Sequence, residues 1–305
     1  MTYSIVARDA GTGELGVAVQ SHYFQVGPIV PWALAAVGAV ATQSRANVAF
    51  GPMGLELLRS GYTAEQALKS LIAGDPMADT RQCAIVDASG AVAVHTGKSC
   101  IPAAGHVIGD GFSCQANLME KDTVWAAMAE AFTSSEGPLA ERMMDALDAA
   151  EAEGGDIRGK QSAAMLVVSG NPTGRSWEDR IIDLRVEDAA EPLPELRRLL
   201  RVRRAYHAYS DGAKLAEAGE IAGAAEKLQH AVQLAPEIGE LRFWAGVEMA
   251  NSGAVEAGCD LLAEVVRSEG DRWLETLRRL VPVGRISAEL CSSIEERLAA
   301  SARAK

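Results

Sequence analysis

The chain has 305 residues, of which 48% are hydrophobic and 23% charged, and its formal net charge is −12. That length suits roughly two domains, each able to bury a core. The acidic balance sets the surface against nucleic acid, whose phosphates it would repel. No run approaches the roughly 20 apolar residues that cross a bilayer. Aromatics make up only 5%, with 29 glycines and abundant alanine, so close backbone packing is expected to replace large side chains. The cysteines (Cys83, Cys100, Cys114, Cys259, Cys291) are odd in number and widely spaced. They form no CxxC and no Cys/His cluster, which speaks against a disulfide framework and against a metal site. No metal and no cofactor are expected. The sequence opens without a basic n-region or a cleavage motif, so a cytoplasmic location is expected.

In chain order, residues 2–9 and 11–21 read as two strands joined by a glycine turn at Gly11 and Gly13. Residues 24–32 read as a loop with two prolines. The small-residue run Ala35 to Gln43 reads as a buried strand, and Pro52 can open a helix carrying Leu55, Leu57 and Leu58. Gly61 ends that helix. Thr63 with Gln66 forms a capping box for the next one, through about Ala73. Residues 83–86 and 91–94 form a hairpin on a Ser-Gly turn, and residues 105–111 are a glycine-rich piece in which Gly109 and Gly111 mark turns. Helical patterns cover 123–132 and 139–152, strands cover 162–169 and 181–186, and a basic helix starts at Pro194. Hairpins outnumber βαβ crossovers, so the expected class is α+β with largely antiparallel sheet. The unalternating strands 35–43 and 162–168 imply burial on both faces, as in two stacked sheets covered by helices.

From Ala205 onward the sequence is helical throughout. A shift of 34 residues superposes Gly212, Leu215, Ala224, Leu228, Ala231 and Pro236 on Gly246, Met249, Gly258, Leu262, Val265 and Gly270. Small residues where helices touch and large apolar ones between them make a tetratricopeptide (TPR)-like pattern. An unrelated pair of helical hairpins remains the alternative. The expected domains are therefore 1–200 and 201–305. Two repeats are too few for a free-standing solenoid, so the tail is expected to pack on the main domain or to build a homodimer.

Candidate chemistry starts at the amino end. Once Met1 is removed, Thr2 carries a hydroxyl and a free α-amine, which titrates at about 7.7–8.0 and can accept the hydroxyl proton. Conventional sites are missing: no GxSxG, HExxH, Walker loop or GxGxxG follows a strand. Polar groups gather instead at strand ends. Gln43, Arg45 and Asn47 close one apolar strand, Arg81 and Gln82 open another, and Asp156, Arg158, Gln161 and Ser162 precede a third. Strand-end polar groups of this kind share a rim where binding sites form, although capping and turn chemistry explains each equally well.

Taken together, residues 2–9, 13–19, 37–43, 81–82 with 85–87, and 154–164 resemble the domain of unknown function 1028 family, which is grouped with the Ntn (N-terminal nucleophile) hydrolases. The resemblance covers roughly residues 2–200. It implies an αββα sandwich and amide-bond hydrolysis. By that analogy Thr2 is the nucleophile and its amine the base, with Ser4 the fallback hydroxyl. Ser21 or His22 would lie near the site, and Gln43, Asn47, Arg81 and Asp156 would supply oxyanion or substrate contacts. Proteasome-type members use a lysine to lower the amine's pKa; no lysine precedes Lys69 here, and Arg45 is the nearby cation. Arg158 completes the candidate substrate-binding set. Two functions are expected to compete. One is an amidohydrolase of a small amide or ureide. The other is a non-catalytic binding or scaffolding protein whose helical tail makes a dimer or recruits a partner. Neither requires nucleic acid or a membrane.

Overall fold

The structure is a computed structural model that describes residues 2–303. The chain divides after Leu200 into two compact units. The first carries β1 (Thr2–Arg8), β2 (Leu15–Ser21), β3 (Pro31–Leu34), β4 (Gly38–Ser44), α1 (Phe50–Arg59), α2 (Ala64–Ala73), β5 (Arg81–Asp87) and β6 (Val92–Thr96). It continues through β7 (Gly105–Gly109), β8 (Phe112–Asn117), α3 (Val124–Ser134), α4 (Leu139–Ala152), β9 (Ser162–Val168), the short α5 (Ser176–Asp179) and β10 (Arg180–Val186). The next helix, α6 (Pro192–Glu217), supplies Leu193, Leu196 and Leu200 to this unit's core.

The strands form a six-stranded sheet, β10-β9-β2-β1-β8-β7, and a four-stranded sheet, β3-β4-β5-β6. Every ladder is antiparallel. Side chains alternate across a strand, so each sheet has two apolar faces to cover. Val6, Val17 and Val19 of the larger sheet meet Ala39, Ala41, Ala84 and Val86 of the smaller one. On the far side of β1, Tyr3, Ile5 and Ala7 pack under Met128, Met143 and Leu147 of α3 and α4. On the outer face of the smaller sheet, Val40 and Ile85 pack under Leu55, Leu58, Leu68 and Leu71 of α1 and α2. The result is helix, sheet, sheet, helix. The α+β class and the stacked antiparallel sheets expected from the sequence are both present. Strand β9, which shows no alternation, is buried along its whole length.

Local chemistry accounts for several boundaries. Thr63 Oγ1 accepts from the Gln66 amide at 3.3 Å while Gln66 Oε1 accepts from the Thr63 amide at 3.0 Å, the capping box expected for α2. The two-proline loop 24–32 differs from expectation because its end becomes β3. This is an edge strand, where Pro31 has no central ladder to break. The run from Ala35 enters β4 only at Gly38, because Ala36 turns with φ 56°. The glycine-rich piece is also more than a turn: Gly111 (φ 72°) reverses the chain between β7 and β8, and β8 pairs with β1. All five cysteines are buried free thiols, and burial pushes Cys83 up to about 12.

In the second unit the rest of α6 is followed by α7 (Ile221–Leu234), α8 (Gly239–Asn251), α9 (Val255–Glu269), α10 (Arg272–Leu280) and α11 (Ala288–Arg303). A Cβ on Gly212 would stand 2.9 Å from Leu228 Cγ. Thirty-four positions later a Cβ on Gly246 would stand 2.9 Å from Leu262 Cγ. The same close helix approach thus recurs at the spacing read from the sequence.

Leu147 is fully buried between α4 and the larger sheet. Leu147→Ala should cost about 2–5 kcal/mol, from lost transfer energy and the cavity left behind. Urea unfolding of the isolated variant measures this directly, and a loss below about 1 kcal/mol would contradict the packing described.

Candidate active site

The inward faces of the two sheets turn polar at one end. In the ladders, Thr2 stands opposite both Ser21 of β2 and Asn117 of β8, while Gln43 of β4 stands opposite Gln82 of β5. Gln115 Nε2 donates to Ser4 Oγ at 2.7 Å, and Ser4 Oγ donates to Gln43 Oε1 at 2.6 Å. Gln43 Nε2 donates to Gln82 Oε1 at 2.8 Å and reaches the Thr2 carbonyl at 3.3 Å. Asn117 Nδ2 donates to the same Gln82 Oε1 at 2.8 Å, and Gln82 Nε2 donates to the Ala116 carbonyl at 2.9 Å. These side chains are almost wholly buried. Buried amides without partners would each cost about 1–3 kcal/mol, so their mutual bonding fixes the ends of β1, β4, β5 and β8 against one another. Within it, Asn117 Oδ1 is buried with no partner.

Thr2 sits where this network meets a cavity of about 680 Å³. Its Oγ1 donates to Ser21 Oγ at 3.1 Å. Ser21, Gln43, Ser44, Arg45, Thr80, Ser99 and Arg158 supply the rest of the polar lining, and Tyr23, Val26, Ile29, Val30, Val48 and Ile101 supply apolar wall. Arg45 and Arg158 are the charged side chains of that lining. Met1, whose removal the sequence analysis invokes, lies outside the described residues.

Two carboxylates hold the arginine-bearing loops. Asp156, with a fully buried side chain, takes Arg158 Nε on Oδ1 at 3.0 Å and Arg158 Nη2 on Oδ2 at 2.8 Å. Its Oδ2 also accepts from the His22 amide at 3.2 Å. Asp75 takes Arg81 Nε at 2.8 Å, the Met77 amide at 2.8 Å and Asn47 Nδ2 at 3.3 Å. Arg81 Nη1 then donates to the Arg45 carbonyl. That clamp spans a strained bend, since Ser44 lies in the left-handed region at φ 67°, a conformation costing about 1–3 kcal/mol for a non-glycine residue.

The candidate residues therefore separate by position. Thr2, Gln43, Arg45 and Arg158 line the cavity. Ser4 does not: its hydroxyl is fully buried and engaged on both sides by Gln43 and Gln115, which leaves it a supporting place rather than that of a second nucleophile. Arg81 and Asp156 stand behind the lining and hold Arg45 and Arg158. Asn47 is bonded to Asp75, and the His22 ring faces the Lys160 carbonyl at 3.2 Å; neither lines the cavity. Gln115, Asn117 and Ser99 received no role in the sequence reading. The signal for two of them was present in β8, where Ser113, Gln115 and Asn117 alternate with Phe112, Cys114 and Ala116, a strand pattern whose polar face points inward. Among the described residues no group of three or more His, Cys, Asp or Glu side chains is placed to hold a metal ion. No helix among them is long and apolar enough to cross a membrane.

A family model described as a family of unknown function, DUF1028, matches residues 2–196. A protein of Silicibacter pomeroyi, whose crystal structure is described under the same family model, is similar at 30% identity with a TM-score of 0.60. The similarity covers 65% of this chain and 84% of that one. No curated protein matches the chain.

The hydrogen bond from Arg81, then the Met77 amide, holds the Asp75 carboxyl below the ordinary carboxylate range. A carboxyl so held stabilises the fold above its unfolded value near 3.9 and loses that contribution as pH falls through its own lower value. Arg81 and Asp75 side chains are only 11% and 6% exposed, yet close beneath the surface. Arg81→Ala should therefore cost about 1–3 kcal/mol, between an exposed and a deeply buried pair. Asp75→Asn should flatten the acid limb of stability against pH below about pH 4. Denaturant titrations of both variants across that range provide the check, and an unchanged acid limb in Asp75→Asn would refute the clamp.

Proposed function

The chain belongs to the DUF1028 family, which has no assigned function, and we propose that it is an N-terminal-nucleophile amidohydrolase acting on a small amide or ureide. One observation carries the reading: Thr2 lines a cavity while Ser4, two residues along the same strand, has its hydroxyl sealed in the amide network. The helix–sheet–sheet–helix layering supports an Ntn-type sandwich. The recurring glycine–leucine approach in the second unit supports a TPR-like tail, for which dimerisation or partner recruitment is the proposed role.

In this reading, processing ahead of Thr2 frees its α-amine. The amine takes the proton of Oγ1 as that oxygen attacks the substrate carbonyl carbon. The Ser21 side chain, whose Oγ lies 3.1 Å from Thr2 Oγ1, is the group proposed to stabilise the oxyanion. Collapse of the tetrahedral adduct breaks the C–N bond, and the protonated α-amine returns its proton to the leaving nitrogen. Water, deprotonated by the same amine, then cleaves the Thr2 ester and releases the acid. Gln43 and Asn117, bonded to the Thr2 carbonyl at 3.3 and 3.5 Å, position the nucleophile without entering the chemistry.

Thr2→Ala should abolish hydrolysis across an amide and ureide panel while changing stability by about 1 kcal/mol or less. The wild-type rate should rise with pH through about 7–8 as the amine loses its proton. The intact mass of active protein should begin at Thr2. Turnover that survives Thr2→Ala, or activity in protein whose amino terminus is retained or acetylated, would contradict the mechanism and favour the binding-protein alternative.

A further inference from the structure

The charges lining the cavity say what its ligand carries. Arg45 and Arg158 are the charged residues of the lining, and no carboxylate is among them. Their situations differ. Arg158 is held on two nitrogens by the buried Asp156, so its positive charge is countered from behind while the guanidinium keeps its place in the wall. Arg45 is exposed, and among the described residues no carboxylate pairs with it. What holds Arg45 is its backbone, through the Thr80 carbonyl at 3.3 Å and through Arg81. The wall thus presents two guanidinium groups but about one uncompensated positive charge.

We propose that this cavity selects a monoanion, namely a small aliphatic amide or ureide bearing one free carboxylate that pairs with Arg45 and Arg158. Guanidinium groups match carboxylates in plane and in donor spacing. A single net charge suits a carboxylate better than a phosphate, which would bring close to two negative charges at neutral pH. The apolar wall of Val26, Ile29, Val30 and Ile101 accommodates the aliphatic part between the carboxylate and the bond presented to Thr2. The substrate class deepens the hydrolase reading, but the binding claim stands on the cavity alone and is tested apart from turnover.

The test is equilibrium titration of full-length Thr2→Ala protein, which cannot consume the ligand by the proposed route, with N-acetylalanine, its primary amide and inorganic phosphate. N-acetylalanine should bind about tenfold or more tighter than the uncharged amide, the difference a charge-assisted hydrogen bond supplies. Adding Arg45→Gln should shrink that ratio to about two- to threefold. Arg158→Gln should weaken the acid too, and pairing it with Asp156→Asn, which removes the stranded carboxylate, separates a lost contact from a misfolded loop. Equal binding of acid and amide, a ratio that survives Arg45→Gln, tighter binding of phosphate, or no binding of the acid up to about 10 mM would each overturn the proposal. None of these outcomes depends on whether Thr2 is a nucleophile. Conversely, a hydrolase that fails only on charged substrates would leave the Thr2 mechanism standing.

Discussion

The constraint on which the site rests is the satisfaction of buried amides between the two sheets. Gln43, Gln82, Gln115 and Asn117 project into the space between the sheets, which is apolar further along, where Val6, Val17, Ala41 and Val86 fill it. Each such group left unpaired would cost more than a paired one returns. They are therefore stable there chiefly in the arrangement that joins Gln115 to Ser4, Ser4 to Gln43, and Gln43 with Asn117 to Gln82. A slip of one residue in any of these strands would turn its amide toward the helices. The network thus works as a register lock, and what it locks in place is the first residue of β1.

Around that fixed point the molecule separates side chains that touch the cavity from side chains that hold them. Asp156 orients Arg158 and ties it to the His22 amide at the end of β2. Asp75 and Arg81 pin the Arg45 carbonyl just past the strained Ser44. Ser162 accepts from the Val26 amide and donates to the Tyr23 carbonyl at 2.6 Å, which fixes the segment carrying Tyr23 and Val26 to the cavity. Three loops are each tied down by a buried polar side chain. The cavity walls are therefore pre-organised, and a ligand need not order them on binding.

Much of this was legible in the sequence wherever the information was local. The β1–β2 hairpin, the Thr63–Gln66 box, the hairpin on Gly90 and the polar strand ends at 42–47, 81–82 and 155–162 all follow from short-range pattern. What escaped were features set by distant pairing. Strand β8 lies beside β1 although Gln115 is 111 residues from Ser4, and its inward face is polar because it meets other amides, a circumstance no local pattern reports. Thr2 and Ser4 share one strand face, and the sequence ranks Thr2 first only for its α-amine; that Ser4 is sealed while Thr2 lines the cavity is set by partners across the sandwich. Arg81 and Asp156 likewise read as site residues, and their support role emerges from the carbonyl and guanidinium they hold.

In the proposed reading the lattice of amides holds Thr2 at the cavity as the nucleophile, ahead of the Ser21, Ser44, Thr80 and Ser99 hydroxyls that share its lining. Treating native protein with an electrophilic β-lactone and mapping the adduct by peptide mass spectrometry tests this most directly. A single ester on Thr2 is expected, and it should disappear when the protein is unfolded before labelling. Labelling of Ser4, Ser21 or Ser99 in place of Thr2, or equal labelling of folded and unfolded protein, would contradict it.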